Sequence, residues 1–482
     1  MIIPFGDHLP DLAAFGNKGS IVKNVIPTSN SYRPFRDINP LSAALSAYCQ
    51  GAASFKDKDG NVFTYASNGA NLYELSDTSW TLASKTGGYS TSTSTSWEFI
   101  KYNNKCIASN FSDVMQQITL DDTNFADLAG TPPKAMHIGV VRGFVVAGNT
   151  NDADGNVPHR IRWSGINDET AWTISATTQA DKEDLQGNGG WVQKIVSGDI
   201  GIIFQERAIW RMTYVGSPIV FQLDQVEQTR GALAANSVVP VGNMIFYLAD
   251  DGFYVFTGGS STPIGESKIN KTFFTGFDIS SKLRMTGAVD LENSLVVWAY
   301  PSSGSTSGTS NRVLTYHWPS GRWSSSEIDL DLVFSGLSAG YTLEGLDAIS
   351  ASLDSLPASL DSRLWTGGNA ILMAFDSDHK LGTFTGNALD AQIDTGEVQF
   401  GIGTSEVLEV RPLVDGGTHT VSVGHRSTQA GDVSFPTASS ENSSGICPVR
   451  VNDRYHRFRV SNTGNFTDAI GVDVRYVETG DR

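Results

Sequence analysis

Short apolar segments separated by tight polar turns recur along most of the chain. Two of them, Ile202–Met212 and Phe246–Phe256, begin 44 residues apart and share one plan: an apolar strand, a polar turn and a second apolar or aromatic strand. Such a unit cannot bury both of its apolar faces alone, so it is stable only beside sister units. Four-stranded blades arranged around an axis give a sequence period of about 40–45 residues. The pattern therefore predicts a β-propeller.

Seven candidate hairpins of this kind follow one another within residues 51–385. Their turns are roughly 35–60 residues apart, which predicts about six or seven blades with insertions of different length. The aromatic residues that end several of these units are expected to pack between neighbouring blades. The paired segments are Val62–Ala66 with Leu72–Leu75, Trp97–Tyr102 with Lys105–Ala108, Met136–Ala147 with Arg160–Trp163, the two hairpins within Ile202–Met212 and Phe246–Phe256, Leu295–Tyr300 with Val313–Trp318, and Leu364–Thr366 with Ile371–Phe375.

The pattern differs at both ends of the chain. Residues 1–50 contain five separated prolines, each of which restricts its neighbour to extended conformations. We therefore predict an extended arm there, with a short helical turn at Leu41–Tyr48. Residues 386–482 instead alternate apolar and polar positions with a period of two, which predicts an antiparallel β-sandwich. The whole chain is thus predicted to be all-β: an arm, a propeller over residues 51–385 and a C-terminal sandwich.

Composition supports this fold class and limits the possible partners. Hydrophobic residues make up 40% of the 482 residues, charged residues only 18%, and there are 49 glycines, a balance that suits many short connections. The 34 Lys and Arg against 51 Asp and Glu give a net charge of −17. A protein that grips nucleic acid needs a basic surface, so this charge argues against tight DNA binding. An acidic wall would instead let DNA pass without retaining it.

No segment of the sequence predicts export or membrane insertion. Two aspartates stand within the first 20 residues, where a signal peptide would need an apolar core, and no stretch approaches about 18 consecutive apolar residues. Cys49, Cys106 and Cys447 are far apart and form neither a disulfide framework nor a metal-binding pattern. We therefore expect folding in a reducing compartment such as the cytoplasm, with the cysteines as isolated small apolar residues.

Few residues in the sequence have the spacing that metal ligands or a cofactor site would require. His419 and His425 share one face of a strand, but they lie about 20 Å apart if the strand is straight, too far to bind one metal. Asp57–Asn61 and Asp152–Asn156 resemble the start of a calcium loop but lack its terminal Glu. Asp, Gly and Asn are also common turn residues, so we interpret both segments as turns, with surface Ca²⁺ as the alternative. No metal ligand and no cofactor site is assigned.

An enzyme is the less favoured class. Ser164–Trp172 superficially resembles the aspartate box of sialidases, but Gly165 and Asp168 do not stand at the positions that the motif requires. No nucleophile elbow and no Walker or Rossmann glycine loop occurs in the sequence. A glycosidase would need two carboxylates about 5–9 Å apart in one pocket. No catalytic residue is therefore assigned.

Arg450–Val460 is the most basic strand predicted in this acidic chain. In an extended strand Arg454 shares a face with Phe458, whereas Arg457 and Arg459 lie on the other face. One interpretation is a solvated strand face with one buried aromatic residue. The other makes the three arginines a candidate interface for an acidic partner surface. Their removal should then weaken assembly and leave stability nearly unchanged.

Three groups of residues carry a likeness to a known family. The first group, at the start of the chain, is Pro10-Asp11-Leu12, Asn17, Gly19, Val22, Asn24-Val25-Ile26-Pro27 and Tyr32-Arg33-Pro34. The second, in the middle, is Trp163-Ser164-Gly165, Asp168, Trp172 and the Phe204–Trp210 and Tyr247–Phe256 hairpins. The third, at the end, is Arg454–Val460, Ala469 and Gly471-Val472-Asp473. The first two groups resemble the tail hub proteins of short-tailed bacteriophages, also called packaged-DNA stabilisation proteins or tail accessory factors. The last group resembles the ending of related phage virion proteins.

This resemblance implies a structural virion protein that is not an enzyme. Proteins of that family form a ring, usually of six copies, below the portal and its adaptor. The ring continues the DNA channel, helps to retain the packaged genome and anchors the needle, nozzle or fibres of the tail. We accordingly expect a homo-oligomeric ring in the phage tail that contacts DNA only in transit and does not insert into membranes. The alternatives are a glycan-binding, receptor-binding propeller of a phage tail and a glycosidase.

Overall fold

The computed structural model describes residues 1–480 except 17, 93–94, 341–345, 347–348, 351, 353–355 and 357–358. Nearly all of its regular structure is β-strand. Six four-stranded sheets, together with the first four strands of a ten-stranded sheet, form the seven blades of a β-propeller. The remaining strands form a β-sandwich beside it. The prediction of an all-β propeller is confirmed.

Six strands precede the first complete blade. Five of them, β1–β5, join the sandwich, and β6 joins the propeller. Several prolines stand at the ends of these strands, where the missing N–H group is tolerated. The bounds are β1 Ile2–Pro4, β2 Asp7–His8, β3 Lys18–Lys23, β4 Val25–Pro27, β5 Tyr32–Pro34 and β6 Asn39–Ala44.

Blades 1–3 are each built from four consecutive antiparallel strands. The first strand of each blade lies next to the propeller axis and the fourth lies outermost. Blade 1 contains β7 Gly51–Lys56, β8 Val62–Ser67, β9 Leu72–Ser76 and β10 Ser79–Leu82. Blade 2 contains β11 Glu98–Tyr102, β12 Lys105–Ser109, β13 Gln116–Thr119 and β14 Ala126–Asp127. Blade 3 contains β15 Lys134–Val141, β16 Phe144–Asp152, β17 Gly155–Trp163 and β18 Asp181–Asp184.

Blades 4–6 follow the same plan, with short helices in the connections between blades. Blade 4 contains β19 Val192–Val196, β20 Ile200–Gln205, β21 Ile209–Gly216 and β22 Val220–Glu227, and the 3-10 helix Ala235–Ser237 follows. Blade 5 contains β23 Val239–Val241, β24 Met244–Leu248, β25 Phe253–Phe256 and β26 Ser261–Pro263, followed by α1 Asn270–Gly276 and the 3-10 helix Ile279–Arg284. Blade 6 contains β27 Thr286–Asp290, β28 Leu295–Tyr300, β29 Arg312–His317 and β30 Arg322–Ser326. No helix in the described residues is both long and apolar enough to cross a membrane.

Blade 7 is closed by a strand from the other end of the chain. It contains β31 Leu330–Leu337, β32 Ala370–Asp376 and β33 Lys380–Thr383, and β6 pairs antiparallel with β33 as the outer strand. The chain then runs from β6 directly into β7, the inner strand of blade 1, so one segment ties the last blade to the first. Two predictions are corrected here. β32 pairs with β31 and not with Leu364–Thr366, and the segment Leu41–Tyr48, predicted as a helical turn, is strand up to Ala44 and non-helical after it.

Apolar clusters between neighbouring blades form the propeller core. In the cluster shared by blades 5 and 6, the rings of Trp298 and Trp323 stack with their centroids 5.9 Å apart. Trp172 is buried in a cluster shared by blades 2 and 3. Trp80 and Trp210 are only partly buried, but each packs against such a cluster. The prediction that the aromatic residues pack between blades is confirmed.

The sandwich consists of two sheets that combine strands from both ends of the chain. One sheet has the order β38-β35-β40-β5-β4, with β1 also paired to β40. The other has the order β3-β34-β39-β36-β37, with β2 beside β3, and it continues into blade 6 because β3 also pairs with β30. The C-terminal strands are β34 Ala391–Thr395, β35 Thr404–Val414, β36 Thr418–Arg426, β37 Ser439–Ser440, β38 Cys447–Asp453, β39 Tyr455–Thr463 and β40 Ala469–Gly480.

The extended arm predicted over residues 1–50 is replaced by strands inside both domains. Ile3, Phe5, Val22, Val25 and Tyr32 are all buried in the core of the sandwich. The sequence showed no hairpin there because these strands are short and their partners, such as β40 and β34, lie at the far end of the chain. Local patterns report pairing only between segments that are close in sequence.

Side-chain contacts also fix the sandwich to the propeller. Arg322 of β30 donates hydrogen bonds of 3.0 Å to the backbone carbonyls of Thr28 and Ser31. Its guanidinium lies 4.2 Å from the centroid of the Tyr32 ring. The carboxylate of Asp11 accepts hydrogen bonds of 2.8 and 2.9 Å from two backbone N–H groups at the start of α1. These contacts join the N-terminal segment to blade 6 and to the connection that precedes it.

Candidate functional site: the axial cavity

A cavity of about 370 Å³ lies on the propeller axis, surrounded by the inner strands of all seven blades. In each inner strand successive side chains alternate between the two faces, so small and aliphatic residues line most of the wall. Ala52, Ile138 and Val238 are examples, and the aromatic ring of Phe334 and a small number of polar groups interrupt them. Cavities of this size and composition are typical of small-molecule sites.

Glu98 is the centre of a buried charged cluster on this wall. Its Oε1 lies 2.8 Å from Nδ1 of His137 in β15 and 2.8 Å from Nζ of Lys194 in β19. Its Oε2 accepts the backbone N–H of Ile138 at 3.0 Å. Burial by itself would raise the pKa of Glu98, but Lys194 and His137 together lower it to about 2. One ionised carboxylate thus links the inner strands of blades 2, 3 and 4.

The cavity wall carries more positive than negative charge. Among the described residues that line it, the charged side chains are Glu98, Lys194 and Arg284. Lys194 also lies 3.5 Å from Oδ1 of Asn236. The guanidinium of Arg284 lies 4.7 Å from the centroid of the Tyr48 ring. A net positive wall is unusual in a chain whose net charge is −17.

A second buried carboxylate marks the seam where blade 7 meets blade 1. Asp331 of β31 accepts the backbone N–H of Cys49 at 2.9 Å and lies 2.6 Å from Nδ1 of His379. Burial raises the pKa of Asp331, although both of these partners favour its ionised form. The Tyr48 hydroxyl donates to the backbone carbonyl of Asp331 at 2.9 Å. These bonds hold the segment between β6 and β7 against the inner strand of blade 7.

Two of the three candidate interface arginines are paired inside the sandwich. Arg459 donates hydrogen bonds of 2.9 and 2.8 Å to the two carboxylate oxygens of Asp394, whose side chain is 0% exposed. Arg457 lies 3.2 Å from the buried carboxylate of Glu397. Both arginines lie on the less buried face of β39, as the strand period predicts. We therefore revise the expectation of nearly unchanged stability, because removal of either arginine takes a partner from a buried carboxylate.

Arg454 differs from the other two candidate interface residues. It is half-buried and precedes β39. Its Nε atom has no hydrogen-bond partner in the part of the chain that the structure describes. Among those same residues, no carboxylate lies within ion-pair distance of its guanidinium. The interface role stays a prediction, and Arg454 is the member of the set with charge left for a partner.

The other groups singled out in the sequence have local roles. Asp57 accepts backbone N–H groups of Asp59 and Asn61 at 2.8 Å each, so the interpretation of this segment as a turn is confirmed. His425 lies 2.9 Å from Asp453. The three cysteines are free and buried. Within the described ranges, no group of three or more His, Cys, Asp or Glu side chains is arranged to hold a metal.

The axial cluster of Glu98, His137 and Lys194 leaves almost no trace in the sequence. Glu98, His137 and Lys194 each interrupt a largely apolar strand, which is the only local signal that they give. A polar residue at such a position is also typical of a solvent-exposed strand face. The three residues become a group only once blades 2, 3 and 4 are arranged around the axis.

Comparisons with known proteins add little to this picture. No family model and no curated protein matches the chain. The extracellular domain of BT4673 from B. thetaiotaomicron aligns with a TM-score of 0.41 and 10% identity over 87% of this chain and 48% of its own, so this chain spans about half of that protein. The WD40 domain of Pan2 from Neurospora crassa aligns with a TM-score of 0.39 and 7% identity, over 72% of this chain and 94% of its own. BamB from Moraxella catarrhalis aligns with a TM-score of 0.36 and 10% identity, over 74% of this chain and 92% of its own. The propeller assignment therefore rests on the strand order described above.

Proposed function

We propose that this protein is a tail hub subunit in the virion of a short-tailed bacteriophage. In this role, copies of the chain form a ring below the portal and its adaptor, with six copies as the family resemblance implies. The ring continues the DNA channel, helps to retain the genome and anchors the distal parts of the tail. The proposal begins from the sequence resemblance, and one structural observation supports it most.

That observation concerns the N-terminal residues that carry the resemblance. Asp11 binds the start of α1, and Tyr32 lies against Arg322, so these residues fasten the sandwich to the propeller. β4 and β5 place Val25 and Tyr32 in the sandwich core. A subunit that connects a portal to a distal tail must keep its two domains in a fixed relation while the tail assembles. The resembling residues serve that requirement, which favours a structural role.

The axial cavity indicates where DNA would pass in such a ring. At about 370 Å³, with strands on every side, the cavity has the size of a small-molecule site and cannot admit a DNA duplex. In the proposed ring the channel therefore lies between the copies and not along the axis of one propeller. The net charge of −17 suits a channel wall that does not retain phosphates.

Electron microscopy of the purified protein mixed with a phage portal–adaptor assembly tests this proposal. We expect rings of identical subunits seated on the adaptor, and no added density on the portal alone. The same preparation should show no salt-sensitive retention of duplex DNA at about 50 mM salt. A full-length, folded protein that adds no density to the adaptor would contradict the tail hub role.

Arg454 gives the proposal a test at one residue. Arg454→Ala should lower the fraction of occupied adaptors several-fold if this arginine meets an acidic neighbour in the assembly. Arg475→Ala is the matched control, since the Arg475 side chain is 70% exposed and lies 3.4 Å from Glu409. If both variants occupy the same fraction of adaptors, Arg454 is not part of the interface. The ring proposal would then be tested only by the microscopy of the wild-type protein.

A glycan-binding propeller is a second candidate, and one observation favours it. Trp191 is 55% exposed, and its backbone N–H donates to the carboxylate of Glu206 at 3.2 Å. An exposed aromatic ring offers an apolar face on which a sugar can stack. A glycan array probed with the wild type and with Trp191→Ala decides this candidate. Absence of any signal that depends on Trp191 would exclude it.

A further inference from the structure

The cations of the axial cavity have hydrogen-bonding capacity that the described residues leave unused. The ammonium of Lys194 has three N–H donors, and its recorded partners are Glu98 at 2.8 Å and Asn236 at 3.5 Å. The side chain is 24% exposed, which leaves the third donor open to the cavity. The guanidinium of Arg284 packs on the face of Tyr48, and no carboxylate of the described residues lies within ion-pair distance of it.

The carboxylate of Glu98, by contrast, already has a partner at each of its oxygens. Both oxygens of Glu98 have partners: Oε1 meets His137 and Lys194, and Oε2 accepts the N–H of Ile138. The side chain of Glu98 is only 5% exposed. A cation that entered the cavity would therefore find no free carboxylate in the described lining. It would meet two positive side chains instead.

From this asymmetry we infer that the axial cavity binds a small organic anion with an apolar body and one carboxylate or phosphate group. Lys194 and Arg284 would bind the anionic group, and Asn236 would offer a neutral hydrogen bond. Aliphatic and aromatic side chains such as Ile138 and Phe334 would cover the apolar body. This site is additional to the tail hub role and does not depend on it.

A set of four ring compounds of similar size tests the charge requirement. Benzoate and phenyl phosphate carry the anionic group, benzamide is a neutral counterpart of benzoate, and benzylamine is cationic. Isothermal titration of the full-length protein at low salt should give saturable binding for at least one anion. Benzamide should bind at least ten-fold more weakly and benzylamine should not bind. Raising the salt concentration should weaken the binding of the anion.

Three matched variants place the binding in the cavity. Lys194→Met and Arg284→Met should each weaken the binding of the anion by ten-fold or more. Lys282→Met, which removes a neighbouring cation that does not line the cavity, should bind like the wild type. Lys194→Met also takes a partner from Glu98. The melting temperature of this variant is therefore measured in parallel with its binding. Arg284 has no such carboxylate partner within the described part of the chain, so Arg284→Met keeps the test decisive even if Lys194→Met folds poorly.

Each possible outcome bears directly on the inference. Saturable binding of an anion that Arg284→Met weakens and Lys282→Met preserves would establish the site. Equal binding of benzoate and benzamide would show that charge is not recognised, and the inference would fail. It would fail equally if neither anion saturates the wild type, or if Arg284→Met binds the anion as tightly as the wild type does.

Discussion

The propeller and the sandwich bury similar strands but assemble them from different parts of the chain. In blades 1–6 each strand pairs with its neighbours in sequence within the same blade. In the sandwich β1 pairs with β40, and β3 pairs with β34. Blade 7 lies between these cases, because three consecutive strands are completed by β6. Local pairing leaves a repeated pattern in the sequence, whereas pairing between the two ends of the chain leaves none.

The cores of the two domains differ in the same way. The propeller core is divided into clusters between neighbouring blades, so a defect in one cluster leaves most of the others intact. The sandwich core is a single cluster to which both ends of the chain contribute. We therefore expect the sandwich to depend on the N-terminal segment far more than the propeller does.

Deletion of residues 1–34 should have the largest effect. It removes β1–β5 and with them five buried apolar side chains, each stabilising by about 1.5–3 kcal/mol. Their sum is comparable with the whole stability of a domain, about 5–15 kcal/mol. The propeller keeps β6 and should stay folded. Limited proteolysis with mass spectrometry should then show a resistant propeller and a digested C-terminal region.

A longer deletion and a point variant sharpen the same comparison. Deletion of residues 1–44 also removes β6, which opens blade 7, so the propeller should lose its resistance to protease as well. Ile2→Ser is the control, because Ile2 is exposed and should tolerate the change. A sandwich that stays resistant after deletion of residues 1–34 would show that the N-terminal strands are dispensable.

Arg459→Met should have the next largest effect, and only on the sandwich. It leaves the buried carboxylate of Asp394 without its bidentate partner. We expect a loss of about 2–3 kcal/mol, less than for a fully buried pair, because the Arg459 side chain is 29% exposed. Urea unfolding of the two domains, followed by separate probes, measures this loss.

Two further variants control for the charge. Arg475→Met, at an exposed pair, should change stability by less than about 1 kcal/mol. Combining Arg459→Met with Asp394→Asn should restore much of the loss, since the buried charge is then gone. An Arg459→Met protein as stable as the wild type would return this residue to the list of interface candidates.

His8 should make the unfolding free energy of the sandwich fall at low pH, an effect smaller than that of Arg459→Met. Burial lowers the pKa of His8 from 6.5 to about 4, so the unfolded chain takes up the proton first. The stability that neutral His8 contributes is complete above pH 6.5 and is lost as the pH falls towards 4. The loss at pH 5 should be about 2 kcal/mol. Glu98, in the propeller, should lose its contribution only between pH 4.5 and about 2.

Unfolding free energies at pH 7, 6 and 5 measure this difference between the domains. His8→Gln removes the titrating group, so the stability of its sandwich should depend less on pH across this range. The propeller transition should be unchanged between the two proteins. If both proteins lose the same stability between pH 7 and pH 5, another group controls the acid response of the sandwich.

The hairpins of the propeller could be predicted because their residues are close in sequence. Ile202–Met212 contains parts of β20 and β21 in register across one short turn. Leu330–Leu337, the inner strand of blade 7, was missed because a long connection separates it from its partner β32. An apolar strand without a nearby partner looks the same as any short buried segment.

The chemistry of the molecule was harder to predict than its fold. The sequence marks Arg459 as part of a basic strand. Its partner Asp394 lies on another strand, and nothing in the sequence distinguishes this aspartate from the others. Lys194 and Glu98 meet only because the inner strands of blades 2 and 4 converge on the two sides of blade 3. Charge alone marks a residue as interesting, while the identity of its partner, and hence its role, depends on the tertiary structure.

The placement of β1–β5 beside strands from the other end of the chain has a consequence for biosynthesis. The ribosome releases these five strands first and their partners β34–β40 last. At about 5–20 residues per second, β1 waits some tens of seconds for its partner β40, and β3 waits about as long for β34. The propeller can close earlier, because β33 and β6 are both available before the C-terminal sandwich strands β34–β40 emerge. A prematurely terminated chain would therefore carry a closed propeller without a finished sandwich, and only complete translation products would present both domains for assembly.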